Sequence, residues 1–294
     1  MELSNTPQKK SKLTLYIIIA LFAGIAMGFV LNKSYISKEN QSIAALQITI
    51  DEVTESIAAT TDSVTHAQLI EKKKALSKEQ NNLLNERDEK VEPFSILADI
   101  FLRLIKMIVA PLVLTTLIVG VAKLGDISSV GRIGGKTLLW FIAASLTSLL
   151  LGMILVNLFK PGIAMDLPLP DLGEDTGIAH VGLTLKGFLY HVFPTSLIDA
   201  MAKNEILQIV VFSLFFGVAT ASLGEQGKIV ITFLDAVANV ILKLTGYVMG
   251  LAPVAVFGAM AAIIAKQGLG ILTTYSIFIG EFYLGLLLLW VILG

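Results

Sequence analysis

The sequence predicts an all-α integral membrane protein with about six transmembrane helices, the fourth of them broken, and a helical hairpin outside the membrane. Apolar residues make up 55% of the 294-residue chain and charged residues only 15%, with a mean hydropathy of +0.79. Soluble domains carry about 25% charged residues. Uncharged runs of about 20 residues, the length that crosses a bilayer, also recur along the chain. Because backbone amides in lipid must bond internally, we expect these runs to be helices.

The composition excludes several classes of function. The chain has no cysteine, which excludes disulfides, thiolate metal sites and cysteine nucleophiles. Its net charge of −1 provides no basic excess for binding nucleic acid. The three histidines, His66, His180 and His191, have no metal-ligating residue three or four positions later. We therefore expect no catalytic residues, no metal site, no cofactor and no nucleic-acid partner.

The first predicted span covers residues 13–32 and follows a tail at residues 1–12 that contains three lysines. A basic tail before an apolar run is also typical of a secretory signal peptide. This apolar run, however, ends without a small-residue cleavage site. We therefore interpret residues 13–32 as a membrane helix that is retained.

The charges between the spans predict the orientation of the chain in the membrane. Short cytoplasmic flanks of membrane proteins carry an excess of Lys and Arg. The tail at 1–12 and the loop at 123–136 are basic, whereas the segments 33–93 and 160–205 are net acidic. This pattern places the N-terminus in the cytoplasm and both acidic segments on the extracytoplasmic side.

The segment 33–93 predicts the helical hairpin. Its apolar residues recur at alternating spacings of three and four positions and later every seven, which is an a/d heptad pattern. A stretch rich in helix-capping residues, 60–65, interrupts the pattern. The spacing predicts two arms, about 39–60 and 66–90. The hairpin is either a docking module or a solvated connection between two spans, and the sequence leaves both open.

The remaining predicted elements follow in chain order. They are a second span at 94–122, a third span at 132–159, an outer loop with a broken fourth helix at 160–223, a fifth helix at 229–266 and the start of a sixth at 270–294. Repeated prolines and glycines between 160 and 205 exclude a continuous helix in that segment.

Glu281 is the candidate functional residue that the hydropathy pattern singles out. It stands alone in the last apolar run. An ionisable side chain inside a membrane is expensive and suggests a functional site. Glu281 could carry a coupling proton, or it could pair with a neighbour near the outer third of a tilted helix.

Several blocks of the sequence are similar to consecutive helices of one membrane-protein family. The blocks are RLIKMIVAPLVLTTLIVGVAKLGD (103–126), the third span through LFKPG (158–162), FPTSLIDAMAKNEILQIVVFSLFFGVA (193–219) and GYVMGLAPVAVFGAMAAIIAKQG (246–268). They resemble the second to fifth helices of the dicarboxylate/amino acid:cation symporters, the glutamate-transporter family. The resemblance covers residues 13–31 and 94–294, with the hairpin as an insertion.

This resemblance implies a secondary active symporter of dicarboxylates or acidic amino acids, coupled to protons or sodium, that works by an elevator mechanism. Helices one, two, four and five would form a static scaffold and a homotrimer, and helices three and six would belong to the moving transport domain. The resemblance also implies a multi-pass protein of the bacterial inner membrane, surrounded by lipid. Its partners would be a small anionic substrate and the coupling cation.

We also expect a chain that continues further, because the last apolar run stops at Gly294 without a polar flank. The family's substrate ligands would lie beyond that residue. A different class of function remains open, namely a non-transporting oligomeric scaffold or adaptor that displays the outer hairpin.

The resemblance also bears on the coupling ion. In sodium-coupled members the third helix supplies a Tyr, a Thr and a Ser to one sodium site. Aligned back from the Lys160-Pro161-Gly162 block, the matching residues here are Phe141, Ala144 and Ser145. Only Ser145 keeps a side-chain oxygen, whereas hard cations need several oxygen ligands. Ser145 is thus the candidate cation ligand and Glu281 the candidate proton site, with protons favoured over sodium.

Overall fold

The computed structural model describes residues 12–60, 62–123, 127–160 and 184–293. Within these ranges the chain is helical and contains no strand, which confirms the predicted all-α class. The helices are α1 (Leu13–Val30), α2 (Ser37–Ala59), α3 (Ser63–Lys123), α4 (Ile127–Phe159), α5 (Leu185–Val192), α6 (Leu197–Ala202), α7 (Ile206–Ser222), α8 (Gly227–Met249), α9 (Ala252–Gln267) and α10 (Gly270–Leu293). Most of the predicted tail and much of the predicted outer loop lie outside the described residues.

Five helical stretches in the described residues are long and apolar enough to cross a membrane. They are Leu13–Tyr35, Val64–Lys123, Gly134–Phe159, Gly224–Met249 and Gly270–Leu293. The first includes a short π-helical segment, Leu31–Tyr35, that follows α1. Two further helices, α7 and α9, are apolar but shorter, with 17 and 16 residues.

The predicted hairpin is present as α2 and the first part of α3, which run antiparallel. The Gln80 side chain donates a 2.8 Å hydrogen bond to Oε1 of Gln47, 33 residues earlier. Further from the turn, Lys90 Nζ lies 2.5 Å from Glu39 Oε1. In each pair, the two residues lie at similar distances along the chain from the turn near residue 62. The two arms of the hairpin therefore lie side by side.

The structure places no helix boundary at residue 93, where the sequence predicted the hairpin to end. Instead, α3 continues without interruption through Pro93 to Lys123. A proline inside a helix removes one backbone hydrogen bond but leaves the neighbouring ones. The second arm and the second predicted span are therefore one helix.

The predicted fifth helix at 229–266 is divided into α8 and α9. The break falls at residues 250 and 251, and Pro253 stands in the first turn of α9. Proline fits the first turn of a helix, where its missing N–H is not needed, but it cannot donate to the carbonyl four residues earlier. That carbonyl belongs to Met249, the last residue of α8.

The chain divides into two compact units. The first unit comprises Met1–Arg103 and Met249–Ile271. In it, α1 packs closely on α9 because Gly28 has no side chain. A Cβ atom at Gly28 would lie 2.7 Å from both the carbonyl oxygen of Ala261 and the Cβ of Ile264. Glycine at such a position permits close approach of membrane helices.

The second unit comprises Leu104–Val248 and Leu272–Gly294. Part of its core is a cluster of small and branched side chains from α3, α6 and α7. The buried members are Ala110, Ala200 and Ile209. The short helices α6 and α7 are separated at Lys203–Glu205, where Asn204 adopts a positive φ of 54°. The described part of the fourth helix is therefore broken, as predicted.

Candidate functional site

Glu281 lines a cavity between α4 and α10 in the second unit. The cavity has a volume of about 240 Å³, and the Glu281 side chain is half-buried. Its lining consists of Ser148, Leu151, Gly152, Leu155, Val156, Phe278, Glu281, Phe282, Gly285, Leu286 and Leu289. Apart from Glu281 and Ser148, the lining side chains are apolar or absent.

Helical periodicity explains why these residues meet. Ser148, Gly152 and Leu155 are spaced four and three apart, so they lie on one face of α4. On α10, Glu281 and Gly285 are one turn apart on the facing side. A Cβ atom at Gly285 would lie 3.0 Å from Cδ1 of Leu155, which makes this the tight point of the pair. The carboxylate therefore stands one turn from Gly285, which lies opposite Leu155 of α4.

The electrostatic surroundings of Glu281 are poor in charge. Among the residues that the structure describes, Glu281 forms no ion pair and no hydrogen bond. An ionisable side chain on a membrane helix is expensive and suggests a functional site. The Glu281 carboxylate can bind a cation, and the smallest cation that neutralises its charge is a proton.

The structure does not assemble an ion site around Ser145 within the described ranges. Ser145 lies one turn before Ser148 on α4, outside the cavity lining, and both serines are exposed. Phe141, at the position expected to carry a tyrosine in a sodium site, is 66% exposed. Ala144 adds no side-chain oxygen. The two candidates from the sequence, Ser145 and Glu281, are thus not in one cavity.

Sequence reasoning missed Ser148, which the structure brings to the Glu281 cavity. A signal was available, because Ser148 follows Ser145 by three residues and shares its helical face. Nothing in the sequence of α4 alone indicated which turn of that face meets α10.

A second polar cluster joins the base of the hairpin to the C-terminal end of α9 in the first unit. The side-chain nitrogens of Asn32 and Asn40 both donate to the carbonyl oxygen of Ala265, at 2.7 and 3.2 Å. Beside them, Lys266 Nζ lies 3.0 Å from Asp88 Oδ2. The last carbonyls of a helix have no partner within the helix, so these asparagines satisfy one of them. We call Asn32, Asn40 and Ala265 the hairpin clasp.

Apolar packing accompanies the clasp. Its buried members come from the start of the hairpin, from α3 and from α9, and they are Ile36, Val91, Ala262 and Ala265. Ile36 and Val91 are fully buried. The hairpin is thus built into the first unit at its base and is more than a loose connection between spans.

Comparison with known proteins decides the family. A profile of the sodium:dicarboxylate symporter family matches residues 13–294. The chain belongs to this family. The match begins at the first predicted span and continues through the last helix, which confirms the resemblance seen in the sequence blocks. It also identifies a family of transporters and not of enzymes.

Curated relatives of this chain are named as dicarboxylate transport proteins. A C4-dicarboxylate transport protein of Bacillus subtilis (strain 168) is 41% identical over 176 residues, which is 59% of this chain and 42% of that protein. A C4-dicarboxylate transport protein of Geobacter sp. (strain M21) is also 41% identical, over 204 residues, 67% of this chain and 46% of that protein. The chain thus spans less than half the length of these relatives.

Proposed function

We propose that the protein containing this chain is a secondary active symporter that carries C4-dicarboxylates together with a coupling cation. The observation that carries this proposal is the family match over residues 13–294. The names of the two relatives point to C4-dicarboxylates as the substrate class. Five helices suited to crossing a membrane are consistent with a multi-pass transporter.

The coupling ion that we propose is the proton. Three hydroxyl-bearing residues on the third helix would favour sodium, but Phe141 and Ala144 contribute no side-chain oxygen and Ser145 stands alone. A hard cation such as sodium needs several oxygen ligands. Glu281, a carboxylate on an apolar helix, supplies a group that can take up a proton.

Uptake into liposomes tests this function. The full open reading frame that encodes this chain is reconstituted, and uptake of labelled succinate is measured with sodium present or replaced by choline. We expect an inward pH gradient to drive uptake in choline. Residues 1–294 alone should show no uptake above that of empty vesicles, because they cover less than half the length of the transport proteins that they match. Uptake that requires sodium and ignores the pH gradient contradicts proton coupling, and no uptake of any C4-dicarboxylate contradicts the function.

We further propose a homotrimer that works as an elevator in the bacterial inner membrane. Helices one, two, four and five, at 13–32, 94–122, 160–223 and 229–266, would form the static scaffold. Close packing of α1 on α9 through Gly28 supports a rigid scaffold. Crosslinking of the full-length protein in mild detergent should give a trimer. A product limited to monomers or dimers contradicts this assembly.

The proposed orientation has a cytoplasmic N-terminus and an extracytoplasmic hairpin. Because residues 1–294 contain no cysteine, an introduced cysteine is the one thiol in this part of the protein. We expect Glu71→Cys, on an exposed position of the hairpin, to react with a membrane-impermeant maleimide in whole cells. Arg132→Cys, on the opposite side of the membrane in this topology, should react only after lysis. The reverse pattern contradicts the orientation.

A further inference from the structure

We propose that Glu281 and Ser148 form a proton-binding site in the cavity between α4 and α10, and that Glu281 takes up and releases the proton that drives transport. This inference rests on the proposed proton-coupled symport and adds to it the place where the proton is held. The proposal is supported by the cavity that Glu281 and Ser148 share. The facing sides of α4 and α10 form this cavity, and the other lining residues carry no charge.

The chemistry of the lining selects a proton over a metal cation. Glu281 offers two carboxylate oxygens and Ser148 one hydroxyl, while the other lining residues carry no side-chain oxygen or nitrogen. Hard cations are held by six or so oxygens, and the lining side chains among the described residues supply three. A proton needs only one oxygen, so this lining is sufficient for it.

Ser148 suits both protonation states of Glu281. A serine hydroxyl both donates and accepts hydrogen bonds, whereas a carboxylate only accepts. When Glu281 is charged, the Ser148 hydroxyl can donate to it, and when Glu281 carries the proton, the same hydroxyl can accept from it. A hydroxyl can therefore stabilise both the charged and the protonated form of Glu281, whereas a lysine ammonium stabilises only the charged form.

The cavity also has room for the proton's route. A water molecule occupies about 30 Å³ in the liquid, and a cavity that holds water needs two or more polar partners nearby. The volume of about 240 Å³ is several times that size, with Glu281 and Ser148 as polar partners. A proton that reaches Glu281 through water in this cavity would meet Ser148 as the other polar side chain of the lining.

Transport assays on the full open reading frame test this site. In Glu281→Gln the side chain keeps its shape but cannot ionise. We expect uptake driven by a pH gradient to fall at least tenfold, because net uptake requires release of the proton. Exchange of labelled for unlabelled succinate, which needs no net proton movement, should stay within twofold of the wild type and shows that the variant is folded.

The controls separate this inference from the function on which it rests. Glu225→Gln, an exposed carboxylate paired with Lys228, should leave both uptake and exchange unchanged. If the wild type shows uptake driven by pH and Glu281→Gln retains it, the site is wrong and the symporter function stands. If the wild type itself shows no such uptake, proton coupling fails and the site fails with it.

Chemical labelling gives a readout that does not depend on transport. Dicyclohexylcarbodiimide partitions into lipid and reacts with a protonated carboxyl group. The carboxyl oxygen bonds to the carbodiimide carbon and the proton moves to nitrogen, which gives an O-acylisourea. We expect mass spectrometry to find dicyclohexylcarbodiimide label on Glu281, and a water-soluble carbodiimide to prefer Glu225. Absence of label on Glu281 at every pH, with Glu225 labelled by the soluble reagent, overturns the proposal.

Discussion

Two apolar helices, α9 in the first unit and α10 in the second, differ in the number of residues that they bury within their units. The 16-residue α9 buries seven residues, whereas the 24-residue α10 buries none of those described. The buried face of α9 consists mainly of alanine and glycine, and its neighbour α1 contributes Gly24 and Gly28. On α10, large side chains such as Trp290 are 78% exposed.

This comparison shows what selects protein contacts in a membrane protein. Lipid chains are as apolar as leucine, so hydrophobicity gives no preference for a protein neighbour over lipid. Small residues and polar contacts do give such a preference, and α9 has both, since the hairpin clasp holds its C-terminal end. The contacts of α9 are therefore specified within this chain, whereas α10 buries none of its described residues against it.

The largest expected effect comes from adding one methyl group at Gly28. In Gly28→Ala the new Cβ would lie 2.7 Å from the backbone oxygen of Ala261, so α1 and α9 must move apart. We expect the free energy of unfolding in detergent to fall by about 1–3 kcal/mol, the usual cost of overpacking.

Gly280→Ala in α10 is the matched control for this change. No atom lies within 4 Å of the Cβ that would be added at Gly280. Alanine is a better helix former than glycine, so this variant should be unchanged or more stable by up to about 1 kcal/mol. The two glycines thus predict effects of opposite sign. Equal changes in the free energy of unfolding for Gly28→Ala and Gly280→Ala would contradict the conclusion that α9 is closely packed and α10 is not.

The hairpin clasp predicts a smaller loss. The double variant Asn32→Ala with Asn40→Ala leaves the Ala265 carbonyl without either side-chain donor. An unsatisfied buried acceptor costs about 1–3 kcal/mol, and each single variant should cost about 1 kcal/mol or less because the other asparagine remains. Unfolding of the detergent-solubilised protein measures these losses.

Asn157→Ala on α4 provides the comparison for the clasp. The Asn157 side chain also donates to a backbone carbonyl, that of Met153, but this acceptor lies in its own helix and the residue is exposed. Its removal should change stability by less than about 0.5 kcal/mol, as is usual for surface positions. A loss at Asn157 as large as that of the double clasp variant would contradict the role given to the hairpin base.

The sequence was sufficient for features that depend on composition and periodicity. Hydropathy predicted the all-α membrane class, the a/d pattern predicted the hairpin, and Pro194 predicted the break between α5 and α6. The family was recognisable from blocks of sequence. These features are local, so each can be read from a window of the chain.

Features that depend on packing between distant segments were not predictable in this way. Pro93 lies inside a continuous α3, whereas Pro253 marks the start of α9, although both are prolines in largely helical sequence. That Glu281 and Ser148 line one cavity depends on which turns of α4 and α10 face each other, where Gly285 lies opposite Leu155. Asn32 and Asn40 gave no signal, because their acceptor is more than 220 residues away.

The smallest expected effect concerns the ion pair inside the hairpin and depends on pH. The hydrogen bond from the Lys90 ammonium lowers the pKa of the Glu39 carboxyl below its ordinary value of 4.5. Because the folded-state pKa is the lower one, the stabilisation is fully present above about pH 4.5 and is lost as the pH falls through the folded-state value. We expect Glu39→Gln to lower the melting temperature slightly at pH 7, and this difference from the wild type to shrink at pH 3. Glu55→Gln, at an exposed position on the same helix, should show no such pH-dependent difference. A Glu39→Gln difference that stays constant between pH 7 and pH 3 would mean that the Lys90 pair does not stabilise the hairpin through charge.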